Sequence, residues 1–420
     1  VSSAGSTGLR LALRFPTTFV VTAPYVLLFL PLAVWNANPQ TDFILQTWGA
    51  AVAGTLAVEG SVALVASAEH RAGRSAGSPP PRTTARCWHA GRVAAIARGV
   101  SVVAITATSA SVLLGAGTLR SQVDSQLPSG AAAVLTPFVS WTSVALALLI
   151  AAYHLGGLSR AVTLSWIGAL LVTQIGAAYV STITVRAAAF VVLLLILAFL
   201  TDLVPRSWIA AAIAVLAVVW PTVYAIRNQL RVASGIDVSE DVSASDRLRF
   251  DEQIARAAQF GPGHDLGQAG LGEVLRYGLV PRFLDPGRDG LSSGNVINEF
   301  LGGVSFSSYT FLPVATAWFF WGALAVVLLY AGYATVVMSL RPWRAIAERP
   351  YALIVLTLVL SGPLSWFGTP PDTSINLLQT LVSTLPVFFL LQLWGRRAPA
   401  TPDRRSDPAC LPGAVSASRS

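Results

Sequence analysis

Two arginines stand in a short stretch suited to holding an anion. Residues 279–290 read Leu279-Val280-Pro281-Arg282-Phe283-Leu284-Asp285-Pro286-Gly287-Arg288-Asp289-Gly290, followed by Ser292-Ser293-Gly294-Asn295. The run is rich in turn formers, which leaves part of its backbone N–H groups free to face negative charge. Arg282 and Arg288 add guanidinium groups, whose planar fork donates two parallel charge-assisted bonds to phosphate oxygens. Such a pair can stabilise a phosphate as it departs with the bonding electrons. The competing arrangement is internal, with Arg282 and Arg288 paired to Asp285 and Asp289 to fix the loop. Composition favours neither.

What must position these residues is a membrane bundle. Of 420 residues, 54% are hydrophobic and 11% charged, against about 25% charged in ordinary soluble proteins. A mean hydropathy of +0.63 excludes a string of soluble domains. The net charge of +8 comes entirely from arginine, with no lysine, and is not gathered into one basic patch. No nucleic-acid partner is expected. A crossing helix needs about 20 mostly apolar residues, and runs of that kind occupy 15–35, 46–67, 99–117, 131–153, 162–182, 187–204, 207–226, 309–338, 351–368 and 376–394. Arg10 and Arg14 ahead of the first run resemble the start of a signal peptide. That run is too long and lacks a small-residue cleavage site before Asn36, so it is expected to be a retained span.

Arginine sets the expected orientation. With the N-terminus inside, the inner segments hold 18 Arg against five acids and the outer segments 10 Arg against 14 acids, which follows the positive-inside rule. Both termini are then cytoplasmic. Cys87 and Cys410 fall on the reducing side, and no disulfide is implied. Residues 69–98 and the tail 395–420 read as disordered. His70, His89 and Cys87 offer no four-ligand spacing for a metal. Glu59, inside the second run, is a costly intramembrane acid. Lining a lipid groove, pairing with a buried Arg, or sitting neutral among small residues all remain open for it.

The polar mass lies in one outer segment. Residues 227–305 carry eight Arg and eleven of the chain's twenty acids. A helix is expected from an N-cap at Ser245 to the stop at Gly261-Pro262-Gly263, a second over 267–277 stopped by Gly278, and a third from Asn295 to Leu301. These amphipathic pieces could also lie on the membrane surface. The expected organisation is a seven-span bundle (1–226), an extracytoplasmic loop (227–308), three further spans (309–394) and the tail.

Several of these stretches resemble the Wzy-type oligosaccharide repeat-unit (O-antigen) polymerases. The matching motifs are Pro281-Arg282, Asp285-Pro286-Gly287-Arg288, Ser293-Gly294-Asn295 and Ser307-Ser308-Tyr309-Thr310-Phe311-Leu312-Pro313. A second point of similarity is Ser181-Thr182-Ile183-Thr184-Val185-Arg186 ahead of a Leu-rich run. The departures are an Asp-Pro-Gly-Arg order instead of Pro-Asp-Lys-Pro, and Arg in place of the usual Lys.

The resemblance implies an all-α polytopic membrane protein of about ten transmembrane helices, GT-C-like or O-antigen-polymerase-like, with one large extracytoplasmic loop. It implies a glycosyltransferase that moves a glycan from a polyprenyl-pyrophosphate carrier (undecaprenyl pyrophosphate) to the terminal sugar of another lipid-linked repeat unit. Neither metal, nucleotide nor other cofactor is implied; a chain-length regulator and a flippase are the candidate protein partners, besides membrane lipid. Arg186, Arg282 and Arg288 would hold the pyrophosphate, with Arg276, Asp285 and Asn295 as further substrate contacts. His264 would be the base for the acceptor hydroxyl, a role imidazole side chains commonly fill. Alternatively it is a loop histidine bonded to Asp265, and Asp285 and Asp251 are other carboxylates able to act as base. Rival readings are an O-antigen-ligase-like transferase, a polyprenyl-monophosphate sugar transferase, a flippase or other transporter, and a membrane scaffold. Absence of internal repeats and a loop of about 79 residues disfavour transport.

A reporter fused after residue 260 is expected to be active only outside the cytoplasmic membrane; a cytoplasmic signal would overturn the orientation.

Overall fold

The computed structural model describes residues 14–73, 88–115, 130–233, 249–280, 284–285, 292–303, 308–341 and 343–396, and all regular structure among them is helical. The membrane bundle consists of α1 (Pro16–Trp35), α2 (Thr41–Gly73), α3 (Ala90–Leu113), α4 (Gly130–His154), α5 (Arg160–Ser181), α6 (Thr184–Leu200) and α7 (Arg206–Ala233). Three short helices follow: α8 (Phe250–Ala258), α9 (Leu271–Leu279) and α10 (Ser293–Phe300). The bundle resumes with α11 (Pro313–Ser339), α12 (Pro350–Ser361) and α13 (Pro370–Gly395). Among the described residues each apolar run read from the sequence contains a helix, though not over its whole length. Among the described residues seven helices (α1 to α5, α11 and α13) are long and apolar enough to cross a membrane, and α7, bent by 41°, makes up to eight. α6 and α12 are apolar but shorter.

Some expected boundaries move. The segment 69–98 is not wholly irregular: α2 runs on to Gly73 and α3 begins at Ala90, leaving 74–87 outside the described residues. Ala90, Ala94, Ala95 and Ala97 have high helix propensity, which carries α3 past Arg92 and Arg98. Similarly, Gly395 and Arg396 are ordered against His89 and Trp88, while 397–420 lie outside the described residues. α12 stops at Ser361 because Gly362 precedes Pro363, whose ring pushes the preceding residue out of helical conformation.

The core is centred on α4. Val144 through Ala152 are each fully buried, and a helix apolar on every side belongs in the middle of a bundle. It packs against α3, α5 and α12. α2 lies along α11, where Gly54 sits so close to the Val327 carbonyl that an added Cβ would collide with it. Small residues allow that backbone approach.

Glu59 on α2 is fully buried, and its hydrogen-bond partners among the described residues are backbone amides. Its carboxylate accepts the Thr17 and Thr18 N–H groups at 2.6 and 3.1 Å. Those amides open α1, where a helix leaves its first N–H groups unpaired and partly positive. Glu59 therefore caps a neighbouring helix.

The three short helices are seated on the bundle. α8 packs against α1, α2 and α11, burying Ile254 and Ala257 completely. It begins at Phe250, after Arg249, later than the expected start at Ser245, which lies outside the described residues. The fully buried Asp251 accepts Arg249 Nε and Nη2 at 3.0 and 3.1 Å and Asn38 Nδ2, from the α1–α2 turn, at 2.9 Å. α9 continues through Gly278, which was expected to stop it. That glycine presses on Leu378 of α13, and Gln379 of α13 donates to the Tyr277 carbonyl at 2.9 Å. At α10, Ser293 donates its N–H and hydroxyl to Asp372 in the first turn of α13.

Burial pushes the Asp251 carboxyl up, but hydrogen bonds from Arg249 and Asn38, with the Arg249 charge, outweigh it and hold it below the usual carboxylate range. Its contribution to stability is therefore complete at neutral pH and lost as pH falls through the folded-state value. Arg249→Ala should cost about 2–3 kcal/mol, less than for a fully buried pair because Arg249 is 30% exposed. The measurement is thermal denaturation of the purified protein in detergent at pH 7, with Arg249→Ala/Asp251→Asn recovering part of the loss. An unchanged midpoint in Arg249→Ala would show that the pair does not anchor α8.

Candidate functional site

The turn between α5 and α6 gathers three arginines. α5 ends at Thr182, which has left-handed backbone (φ 55°, ψ 17°) and is buried. A β-branched residue is a poor occupant of that region, at a cost of about 1–3 kcal/mol. Its surroundings hold it there: the Thr182 carbonyl accepts Arg227 Nε at 3.1 Å, and its hydroxyl accepts Arg231 Nε at 3.3 Å. These arginines stand four residues apart on one face of the last turns of α7, and Arg227 also lies over the Tyr224 ring.

Arg186, in the first turn of α6, is half-buried. Its Nε donates to Gln174 Oε1 at 3.1 Å, and Gln174 Nε2 donates to Thr142 Oγ1 at 3.0 Å. The Thr142 hydroxyl gives its single proton to the Val139 carbonyl at 3.0 Å, so its oxygen must accept from the Gln174 amide nitrogen. That fixes the amide with its oxygen toward Arg186. Among the described residues no carboxylate pairs with Arg186. Among the described residues no acceptor bonds the terminal nitrogens of the fork, whose arrangement suits two oxygens of one phosphate.

The other expected site residues are more committed. Arg276 closes a two-bond pair with Asp285, Nε to Oδ2 and Nη2 to Oδ1 both at 2.8 Å. Bonding to Asp285 and its charge raise the Arg276 pKa further. Among the described residues Asp285 thus pairs with Arg276. Arg282 and Arg288 lie outside the described residues. Asn295 belongs to the first turn of α10, where Oδ1 accepts the Ser292 hydroxyl at 3.2 Å.

His264 is held by the fold. Its ring stacks on Phe319 at 4.5 Å, inside an aromatic cluster with Phe260, Phe300 and Phe311. Nε2 lies 2.9 Å from the Phe260 carbonyl, which makes it the protonated nitrogen and leaves Nδ1 as the only proton acceptor. Asp265, the partner expected for His264, accepts instead from Gly267 N–H. The Gly263 and His264 N–H groups both donate to the Phe319 carbonyl, at 2.9 and 3.1 Å. α11 is broken just beyond, at Gly322 (φ 79°, ψ 176°), and such a break frees carbonyls of the preceding turn. Asp251, the other carboxylate considered as base, is sealed by Arg249 and Asn38 and reaches no open surface.

The structure therefore holds Arg227 and Arg231 on Thr182, four residues before Arg186, and pairs Arg276 with Asp285. On α13, Ser383 accepts the indole N–H of Trp141, the residue before Thr142 on α4, at 3.3 Å, and Gln379, one turn away, holds α9. Gln174, Thr142 and Asp372 were missed from the sequence. A single glutamine within the apolar run Leu170-Leu171-Val172-Thr173-Gln174-Ile175 was the available signal, since a polar side chain there needs a protein partner. For Asp372 the signal was Thr369-Pro370-Pro371-Asp372, an N-cap with proline in the first helical turn; Thr369 Oγ1 donates to Asp372 at 2.7 Å. Among the described residues no three His, Cys, Asp or Glu side chains converge as a metal site. Comparison of the chain with protein-family models, with curated proteins and with solved structures returns no match.

Proposed function

We propose that the chain is a membrane glycosyltransferase that elongates a surface polysaccharide from a glycan carried on polyprenyl pyrophosphate. The acceptor is the terminal sugar of another lipid-linked repeat unit, and the reaction lies at the outer face of the cytoplasmic membrane. In this reading α6, α7 and α12 complete a ten-span bundle and both termini are cytoplasmic. The observation that carries it is Arg186. A cation at the end of an apolar helix, held by a neutral amide instead of a carboxylate, is poised for an anionic ligand, and Arg227 and Arg231 reinforce the field around it.

The chemistry is a displacement at the anomeric carbon. The acceptor hydroxyl oxygen forms the new glycosidic bond as the bond to the diphosphate breaks, and the electron pair leaves on the phosphate oxygen. Guanidinium groups bound to that oxygen and its neighbours lower the barrier, with each donor contributing about 10²–10³ in rate. Arg282 and Arg288 are assigned to the same diphosphate from the loop side. The hydroxyl proton goes to a base, for which His264 offers Nδ1.

The test is elongation of a purified lipid-linked repeat by the purified protein without nucleotide. Arg186→Ala and Arg282→Ala should each lower the rate by about 100-fold or more while single repeats stay on the carrier. Gln174→Glu should lose comparable activity by pairing with Arg186, whereas Gln174→Met, which leaves the cation unpaired, should keep more. Normal product ladders from Arg186→Ala, or a requirement for a nucleotide sugar, would end the proposal.

A further inference from the structure

At the end of the bundle away from α8 to α10, an open groove of about 800 Å³ is lined by Tyr351, Leu385, Pro386, Phe388, Phe389 and Gln392. Its walls come from the start of α12 and the last turns of α13, which widen into a π-helical turn at Leu391–Gly395. The Tyr351 hydroxyl donates to the Phe388 carbonyl at 3.1 Å, keeping the ring against that wall. One mouth of the groove is cationic. The Arg396 guanidinium lies 5.6 Å from the Tyr351 ring centre and 5.7 Å from that of Trp88. Arg92 reaches the same segment, donating from Nη1 to the Trp394 carbonyl at 3.2 Å. Among the described residues neither arginine is paired with a carboxylate.

This cationic mouth is built by two distant parts of the chain. The His89 N–H bonds the Gly395 carbonyl at 2.9 Å, and Trp88 and Arg396 form an antiparallel bridge. The bridge brings the start of α3, which carries Arg92, to Arg396 at the end of α13. An apolar groove opening at indole and phenol rings, with the Arg92 and Arg396 guanidinium groups at its mouth, matches a lipid that has an acyl chain below and an anionic phosphate above. Aromatic side chains favour that headgroup depth, and arginines near the membrane surface attract anionic lipid.

We infer that this groove is a binding site for an anionic phospholipid, whose acyl chain lies against Leu385, Phe388 and Phe389 and whose headgroup phosphate meets Arg92 and Arg396. The site is separate from the Arg186 cluster, and its occupancy does not depend on the transferase reading.

Native mass spectrometry of the full chain in detergent, exposed to equimolar phosphatidylglycerol and phosphatidylcholine, tests it. Wild type should retain phosphatidylglycerol at least threefold more than phosphatidylcholine. Arg92→Gln/Arg396→Gln should abolish that preference, and Arg92→Lys/Arg396→Lys should restore most of it. Leu385→Trp, which fills the groove and touches neither cation, should lower retention of both lipids. Helix content by circular dichroism confirms that each variant is folded. Equal retention of the two lipids by wild type, an unchanged preference in the glutamine variant, or displacement of phosphatidylglycerol by an equimolar polyprenyl phosphate would overturn the assignment.

Discussion

Within a bundle of apolar helices there is no water to satisfy a charge or an amide, so each polar group must find its partner on the protein. Leaving one unmatched in an apolar setting costs about 2–7 kcal/mol. The polar contacts of this chain follow from that constraint. Glu59 meets the first amides of α1, and Asp372 meets the first amide and hydroxyl of α10. In both places an acid on one helix answers the N-terminus of another, where unpaired N–H groups and the helix dipole supply positive charge. Asp251 is answered by Arg249 and Asn38. Arg186 differs, because its partner is the neutral Gln174. Among the described residues this half-buried cation has only an amide, and the proposed function rests on that contrast with the structural pairs.

The loop between α7 and α11 is fastened to the bundle by contacts of unlike kinds. A break at Gly322 turns the Phe319 carbonyl toward Gly263 and His264, and five aromatic rings fill the space around it. Gly278 lets α9 lie flat on Leu378. Thr310 ties the chain entering α11 by bonding Leu312 N–H, the Gly368 carbonyl and Thr316. Leu312 is thereby kept at φ 67°, ψ 158°, a region that L side chains rarely occupy. The hydroxyl-rich run before Pro313 thus has a structural duty, whatever else it touches. Contacts of these kinds hold the chain through α9, by Gln379 on the Tyr277 carbonyl, and again at α10, by Asp372 on Ser293.

Hydropathy made the helices legible, because apolar runs of this length have few other uses. It gave less warning of their ends. α7 runs through Arg227, Asn228 and Arg231, residues whose polarity suggested loop, because a helix can continue beyond its apolar part when its side chains find partners such as Thr182. Placed on that helix, Arg227 and Arg231 share a face and join the site; read as loop, they carried no spacing. Arg186 was legible as an arginine ahead of a Leu-rich run, but its importance depends on Gln174 and Thr142, which come from two other helices. Gly278 carried a misleading signal: the same missing side chain that ends helices also permits close packing. For Asp285 the sequence offered several arginines within reach, and only the turn after α9 selects Arg276.

The central claim is that the Arg186 fork, kept open by a fixed amide, receives the diphosphate of a lipid-linked glycan. The most direct measurement is an experimental structure of the protein with a short-chain polyprenyl diphosphate. Contact between the terminal nitrogens of Arg186 and phosphate oxygens at about 2.8 Å, with Gln174 still bonded to Nε, is the expected result. A diphosphate bound elsewhere, or Arg186 turned onto a carboxylate in the complex, would contradict it.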